Sequence, residues 1–183
     1  MSVRPARWLF VWAALLVSNA AVPAQDPAAI EAPEAGIKAA YLYKFAAYVD
    51  WPGNAATGSQ AFVIGVMDAD DVAQELERIV PGRSVHDRPV EVRRVREGQS
   101  TAGLHMLFIG REGDVRTALR GPEQPGLLVV TDNPRGLELG STINFVVAGE
   151  HLGFEVSLES AQRHGLRISS RMLNVARRVV PKA

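Results

Sequence analysis

The sequence of 183 residues contains no cysteine. Disulfides, thiolate metal sites and catalysis by a cysteine nucleophile are therefore excluded, and the folded state must be stabilised by its hydrophobic core. Neither charge sign is in excess, since 20 Lys and Arg stand against 20 Asp and Glu. This balance argues against binding to nucleic acid through a strongly basic surface.

Long apolar runs are also missing, except at the N-terminus. Arg4 and Arg7 precede the apolar run Trp8–Val17, and Val22-Pro23-Ala24 offers small residues for cleavage before Gln25. This pattern predicts a signal peptide over residues 1–24 and an exported protein. The alternative is an uncleaved membrane anchor, but a spanning helix needs about 20 predominantly apolar residues, and polar residues interrupt this run.

The first structured element of the exported chain is a predicted helix. An Ala- and Pro-rich segment, residues 25–35, indicates a flexible leader before it. Two apolar rows at helical spacing predict the helix over Ile37–Val49, and Trp51-Pro52 ends it because proline restricts the residue before it and has no N–H. Tyr41, Tyr43 and Tyr48 point in different directions on this helix, so they fit either a core edge or an interface.

Short apolar runs and capping residues predict the remaining elements. Buried runs joined by short helices favour a mostly parallel sheet, and two later runs joined by a short turn favour an antiparallel hairpin. Strands are predicted over residues 61–67, 89–95, 104–109, 127–131, 142–147 and 152–158; helices are predicted from Asp70 or Asp71 to Val80, from Asp114 to Arg120, from Ser157 or Leu158 to Gly165, and from Ser169 or Ser170 to Val179.

The predicted fold class is α/β. We expect a single domain over residues 36–183, with a mixed, mostly parallel sheet, helices on both faces and the hairpin near the C-terminus.

Motifs for catalysis or cofactor binding are absent from the sequence. It has no nucleophile elbow, zinc-protease motif, P-loop or dinucleotide fingerprint, and the four histidines stand apart from one another. The sequence therefore predicts no enzyme, no cofactor and no metal site.

Four aspartates follow predicted strands and provide the strongest sign of a reaction centre. Asp68, Asp70, Asp71 and Asp132 would lie at the carboxyl edge of a parallel sheet, where acids bind Mg²⁺ or accept phosphate in some folds. Helix capping and turn formation explain the same residues without a ligand, and we favour that explanation.

Cations cluster near the C-terminus of the chain. Arg171, Arg177, Arg178 and Lys182 would complement the dipole of the predicted last helix, or form a surface for an anion or a partner.

Two segments resemble the YfiR-like family of periplasmic proteins. The first runs from Lys38 to Phe45 (KAAYLYKF) and leads to Trp51-Pro52. The second combines Ile143-Asn144-Phe145 and Phe154-Glu155-Val156 with Gly165–Leu173 (GLRISSRML). These segments bracket residues 36–180, which is nearly the whole of the exported chain.

The resemblance implies a function that composition does not. Members of this family are periplasmic repressors that bind the sensing domain of a membrane-bound diguanylate cyclase, form dimers, and are sequestered by an outer-membrane lipoprotein. The implied role is to lower cyclic-di-GMP signalling and biofilm formation. The chain departs from better-known members in lacking their disulfide cysteines and in having Ser157 where asparagine is frequent.

The resemblance also suggests where a partner binds. Large apolar side chains beside arginine are typical of interaction hot spots, although the same apolar residues fit a core equally well. The candidate partner surface comprises Trp51, Pro52, Phe145, Phe154, Ile168, Ser169, Ser170, Arg171 and Leu173.

Other function classes remain open at this point. A periplasmic sensor could bind a small molecule at the strand ends, or the domain could serve another signalling system. A hydrolase or metal-dependent enzyme would have to use the four aspartates.

Overall fold

The computed structural model describes residues 27–51, 61–120, 124–149 and 151–182, with side chains from residue 34 onward. The predicted signal peptide lies outside these ranges. Over the described ranges the helices are α1 (Pro27–Tyr48), α2 (Asp70–Ile79), α3 (Val115–Ala118), α4 (Leu158–Arg163) and α5 (Ser170–Leu173); the strands are β1 (Val49–Asp50), β2 (Phe62–Met67), β3 (Ser84–Val85), β4 (Arg88–Val95), β5 (Met106–Ile109), β6 (Leu128–Thr131), β7 (Ile143–Ala148), β8 (His151–Ser157), β9 (Arg167–Ile168) and β10 (Arg178–Val180).

The α/β prediction and the mostly parallel sheet are confirmed, in a single domain. Eight strands form one sheet in the order β10-β8-β7-β6-β5-β2-β4-β3, and β1 and β9 form a separate antiparallel pair. Strands β2, β5 and β6 are buried along their whole length, as their apolar runs indicated. The hairpin is also confirmed, since β7 and β8 pair antiparallel from Ile143↔Val156 to Ala148↔His151.

Helices cover both faces of the sheet. On one face, α1 buries Ala39, Leu42, Phe45 and Ala46 in the larger core, which α2 also joins. On the other face, Val115 of α3 packs into a smaller core. None of the helices in the described ranges has the length and apolar character that a membrane crossing requires.

Two predicted boundaries differ from the structure by more than two residues. Helix α1 begins at Pro27 instead of Ile37, so residues 27–35 of the predicted leader are helical. The last helix was predicted to run to Val179, but this is wrong, because α5 ends at Leu173. Residues 178–180 instead form β10, which pairs in parallel with β8. Arg178 therefore does not complement a helix dipole; its guanidinium forms an ion pair with Glu155 of β8 at 2.8 Å.

His105 precedes β5 and is held as a neutral imidazole. Its Nδ1 accepts a hydrogen bond from the main-chain N–H of Val63 at 3.1 Å, and its ring packs on Phe62. Burial, together with the positive charge of Arg88, lowers the pKa of His105 to about 4. A proton on Nδ1 would remove the acceptor that Val63 needs, so the folded state disfavours the charged form.

This environment predicts a loss of stability in mild acid. Histidine in an unfolded chain has a pKa of about 6.5, so between about pH 6.5 and about pH 4 the unfolded chain binds a proton that the folded chain does not. The free energy of unfolding should therefore fall as the pH decreases through this window, by about 2 kcal/mol from His105 after allowance for solvent screening. Urea unfolding at several pH values measures the slope.

The His105→Asn variant can keep an acceptor for Val63 but does not titrate, so its stability should depend less on pH over the same window. His151→Asn, at an exposed position of β8, is the matched control and should behave as the wild type. If the free energy of unfolding of His105→Asn depended on pH as strongly as that of the wild type, His105 would not be the source of the pH dependence.

Candidate functional site

A charged cleft lies at the carboxyl edge of the parallel strands. It encloses about 420 Å³ between the N-terminal part of α1, the N-terminus of α2 and the loops that follow β2, β5 and β6. The four predicted aspartates all line it. The cleft is lined by Glu34, Ala35, Lys38, Asp68, Ala69, Asp70, Asp71, Val72, Phe108, Gly110, Arg111, Glu112 and Asp132.

The loops after β2 and β5 approach each other closely in this cleft. Asp68 follows β2 with a left-handed backbone, at φ 51°. Gly110 follows β5 beside it, and a Cβ on Gly110 would collide with the main-chain oxygen of Asp68. Any larger residue at position 110 would therefore push the two loops apart and open the cleft.

Four ionised side chains form the base of the cleft. Lys38 Nζ lies 2.7 Å from Asp132 Oδ2 and 2.6 Å from Glu34 Oε1. Arg111 Nη2 lies 3.4 Å from Asp132 Oδ1 and 4.0 Å from Glu34 Oε1. The side chains of Lys38 and Asp132 are each only 10% exposed, so this pair joins α1 to the end of β6 in a largely dry environment.

The cluster keeps its cations charged. Burial disfavours the ammonium of Lys38, but hydrogen bonds to Asp132 and Glu34 outweigh that cost, and the pKa of Lys38 is raised above its usual value. The nearby negative charge of Asp132 likewise raises the pKa of Arg111. Lys38 is therefore a fixed ammonium at neutral pH, and it has no free electron pair for nucleophilic or basic catalysis.

Asp70 and Asp71 of the cleft have separate structural partners. Asp70 Oδ1 pairs with Arg94 at 2.7 Å, and Asp71 Oδ1 accepts from the main-chain N–H of Val72 at the start of α2. In the described part of the chain, no three His, Asp or Glu side chains are grouped so that they could hold a metal ion. All four predicted aspartates line the cleft, and Asp70, Asp71 and Asp132 each contact a cation or an N–H.

Sequence reasoning missed Glu34, Lys38 and Arg111. Glu34 fell within the predicted leader, and Lys38 was named only as the first residue of the segment Lys38–Phe45 that resembles the family. One signal was present: Lys38 lies on the same helical face as Ala35, Ala39 and Leu42, where an unpaired ammonium would be costly. Such a position calls for an acidic partner.

Three residues of the candidate partner surface belong to the core. Trp51 is 5% exposed and its Nε1–H donates to the main-chain oxygen of Gly126 at 2.7 Å. Phe145 and Phe154 are each 2% exposed and pack against Phe45 of α1, with ring centroids 5.8 Å and 4.8 Å from it. These three side chains are wrongly predicted as a surface, because a family signature does not separate core residues from exposed ones. Pro52 lies outside the described residues.

The other five residues lie within residues 168–173, and this segment reaches solvent. Ile168 of β9 pairs with Val49, and Ser169 donates its N–H to the oxygen of Tyr48 while its side chain caps α5 by accepting from the N–H of Met172. We call Tyr48, Arg167–Arg171, Leu173 and Val175 the β9–α5 surface. In it Ser170 and Arg171 are exposed, Ile168, Ser169 and Leu173 are half-buried, and Tyr48 and Val175 are 42% and 70% exposed.

The β9–α5 surface continues into a shallow groove and carries unpaired cations. The groove, of about 440 Å³, runs between α4 and β9 and is lined mainly by apolar residues, including Leu158, Ala161 and Ile168. Among the described residues, neither Arg167 nor Arg171 forms an ion pair. Exposed apolar side chains beside free guanidinium groups suit a protein interface.

Comparison with known proteins gives one clear match. The family model described as YfiR/HmsC-like matches residues 35–177, which span the whole described sheet except β10. No curated protein matches the chain.

The Lys38–Asp132 pair predicts a specific stability defect. Asp132→Asn leaves the ammonium of Lys38 largely buried with Glu34 as its one remaining carboxylate, so the free energy of unfolding should fall by about 2–3 kcal/mol. Glu138→Gln breaks the exposed Arg135–Glu138 pair and should cost less than about 1 kcal/mol. Chemical denaturation compares the two variants.

Adding Lys38→Met to Asp132→Asn should recover part of the loss, because no unpaired ammonium is then left in the cleft. A double variant that is less stable than Asp132→Asn would show that the pair is not the source of the effect.

Proposed function

The chain belongs to the YfiR/HmsC-like family of periplasmic regulators of diguanylate cyclase signalling, and we propose that it binds and represses the periplasmic sensing domain of a membrane-bound diguanylate cyclase. The family match over residues 35–177 is the observation that carries this proposal. The β9–α5 surface supports it, because it lies within the matched residues and is exposed.

Repression by binding needs no reaction centre. A ligand that binds the inactive state of a receptor more tightly than the active state shifts the receptor towards inactivity by the ratio of the two affinities. The periplasmic domain of the cyclase would transmit this shift across the membrane and lower cyclic-di-GMP synthesis and biofilm formation. The role of this chain is then to present a preformed surface, and the proposal includes no cofactor and no nucleic acid.

The proposal has further parts. Export after cleavage of residues 1–24 rests on the sequence pattern of the N-terminus, whereas a homodimer and an outer-membrane lipoprotein that sequesters the repressor come from the family alone. Each extends the periplasmic regulatory role by one specific partner or step.

A second candidate function is supported by the charged cleft. Its volume of about 420 Å³ at the carboxyl ends of parallel strands is within the range of small-molecule sites. The chain would then act as a periplasmic small-molecule sensor, or as an accessory domain in another signalling system. A thermal-shift screen with amino acids and other metabolites tests this, because a ligand that binds the folded state raises Tm with its concentration.

Charge reversal on the β9–α5 surface tests the main proposal. Arg171→Glu changes an exposed residue with no ion pair, so it should leave Tm unchanged but weaken binding to the periplasmic domain of the cyclase at least tenfold, as expected for an interface arginine. Arg116→Glu makes the same charge change on exposed α3, on the opposite face of the sheet, and is the matched control. Surface-immobilised exported domain, titrated with periplasmic domains of membrane cyclases from the same cell, gives the Kd values.

Two outcomes would argue against the proposal. If the wild-type domain binds none of these cyclase domains, the receptor assignment is wrong. If Arg171→Glu and Arg116→Glu bind equally well, a receptor exists but the β9–α5 surface does not contact it.

A further inference from the structure

The β7–β8 hairpin extends beyond the rest of the sheet. Strand β7 pairs with β6 only at Ile143 and Asn144, whereas its pairing with β8 continues to Ala148. Within the described chain, residues 145–148 of β7 thus have a neighbouring strand on one side only. This part of β7 is a free edge.

The direction in which the main-chain N–H and C=O groups of the free edge point follows from the opposite strand, β8. The N–H of Arg177 donates to the oxygen of Phe154 from the β10 side, so the main chain of Phe154 points away from β7. Phe154 lies opposite Phe145, and residues opposite each other in an antiparallel pair either both face each other or both face away. Phe145 therefore faces away from β8, and so does Val147 two residues later.

A slot lies where β6 would have continued beside this edge. It has a volume of about 320 Å³ and is lined by residues 144–147 of β7 on one side, Arg111 on the other, and residues 132–134 at its floor. The floor is fixed to β7, because Asn144 Oδ1 accepts from the N–H of Asn133 at 3.1 Å. Arg111 follows β5, and residues 132–134 follow β6. The slot therefore lies directly beyond the end of β6, between β7 on one side and the loop after β5 on the other.

The free edge lacks the devices that protect sheet edges in soluble proteins. Such edges usually carry charged residues, proline or a bulge, or are covered by another element. Residues 145–148 are Phe-Val-Val-Ala, and the side chain of Val147 is 54% exposed. An apolar, unprotected edge of this kind is suited to receive another strand.

The charge at the slot favours an acidic occupant. Arg111 is 59% exposed, and its contacts with Asp132 and Glu34 use Nη2 alone. The other N–H donors of this guanidinium are available to a carboxylate that enters the slot. Asp132 does not compete for the occupant, because both its oxygens already contact cations.

We propose that an extended segment of a partner protein binds in this slot as an added strand beside residues 145–147 of β7, with apolar side chains along the edge and a carboxylate near Arg111. This site is separate from the β9–α5 surface and goes beyond the proposed function. It gives the protein a second means of binding, through main-chain hydrogen bonds, that is independent of which receptor the first surface binds.

Two substitutions at one position separate main-chain from side-chain effects. Val147→Pro removes the outward N–H, which β8 does not use, so the hairpin should persist. Val147→Thr makes the side chain polar but keeps the N–H. The probe is a phage library of random linear heptapeptides selected on the exported wild-type domain and then synthesised, with affinities measured by titration.

The expected peptides combine alternating apolar residues with an acidic residue or a free carboxyl terminus. They should bind Val147→Thr within about threefold of wild type and Val147→Pro at least tenfold more weakly. Their binding should slow hydrogen exchange of the Val147 amide in the wild type. Binding should also weaken in Arg111→Gln, and persist in Arg171→Glu, which reports only on the β9–α5 surface.

Three results would overturn the inference. The first is equal binding of the peptides to the two Val147 variants. The second is failure to select any peptide that prefers the wild type to Val147→Pro. The third is a shift from dimer to monomer on Val147→Pro, which would show that a second copy of the chain fills the slot. Failure of every cyclase domain to bind would not affect this test, because the peptide probe does not depend on the receptor.

Discussion

The packing of helix α1 on the eight-stranded sheet is the interaction on which the rest of the structure depends. The chain has no disulfide to replace it. Phe45 of α1 and Phe145 and Phe154 of the hairpin form the centre of this contact, joined at its edge by Tyr41. Each aromatic pair adds about 0.5–1.5 kcal/mol beyond the burial of its area. Because the hairpin supplies two of these rings, α1 also holds β7 and β8 in place beyond the end of β6.

The two ends of α1 position different candidate sites. Near its N-terminal end, Lys38 pairs with Asp132 and thereby sets the width of the cleft at the end of β6. At its C-terminal end, the oxygen of Tyr48 accepts from Ser169, and β1 pairs with β9, so the β9–α5 surface is attached to the same helix. A helix that is rigidly packed in its middle therefore fixes both sites relative to the sheet, which is the support that a preformed binding surface needs.

Strands with simple patterns were predictable, and short or context-dependent elements were not. The runs that became β2, β5 and β6 are apolar throughout, and such runs indicate buried parallel strands without further information. Strand β10 has only three residues and follows α5 closely, so the sequence pattern predicted one longer helix over both elements. Trp51, Phe145 and Phe154 were identified as important residues, but their burial comes from distant contacts that no local pattern reveals: Phe145 and Phe154 pack on α1, and Trp51 packs on Phe62 of β2. The four aspartates of the cleft were found from their positions after strands. Glu34, Lys38 and Arg111 were missed, because the contacts that bring them together join distant parts of the chain.

The electrostatics of the cleft and of the two surfaces favour binding over chemistry. In the cleft, Lys38 and Arg111 lie against Asp132 and Glu34, and the raised pKa of Lys38 keeps that side chain protonated instead of poised for proton transfer. On the β9–α5 surface, by contrast, Arg167 and Arg171 have no ion pair among the described residues, and at the slot Val147 has no neighbouring strand beyond β8. Buried charges are thus paired within the fold, while the unpaired groups are those that face solvent. A protein that regulates by contact needs this distribution, because interactions left open at the surface are the ones that a partner can complete.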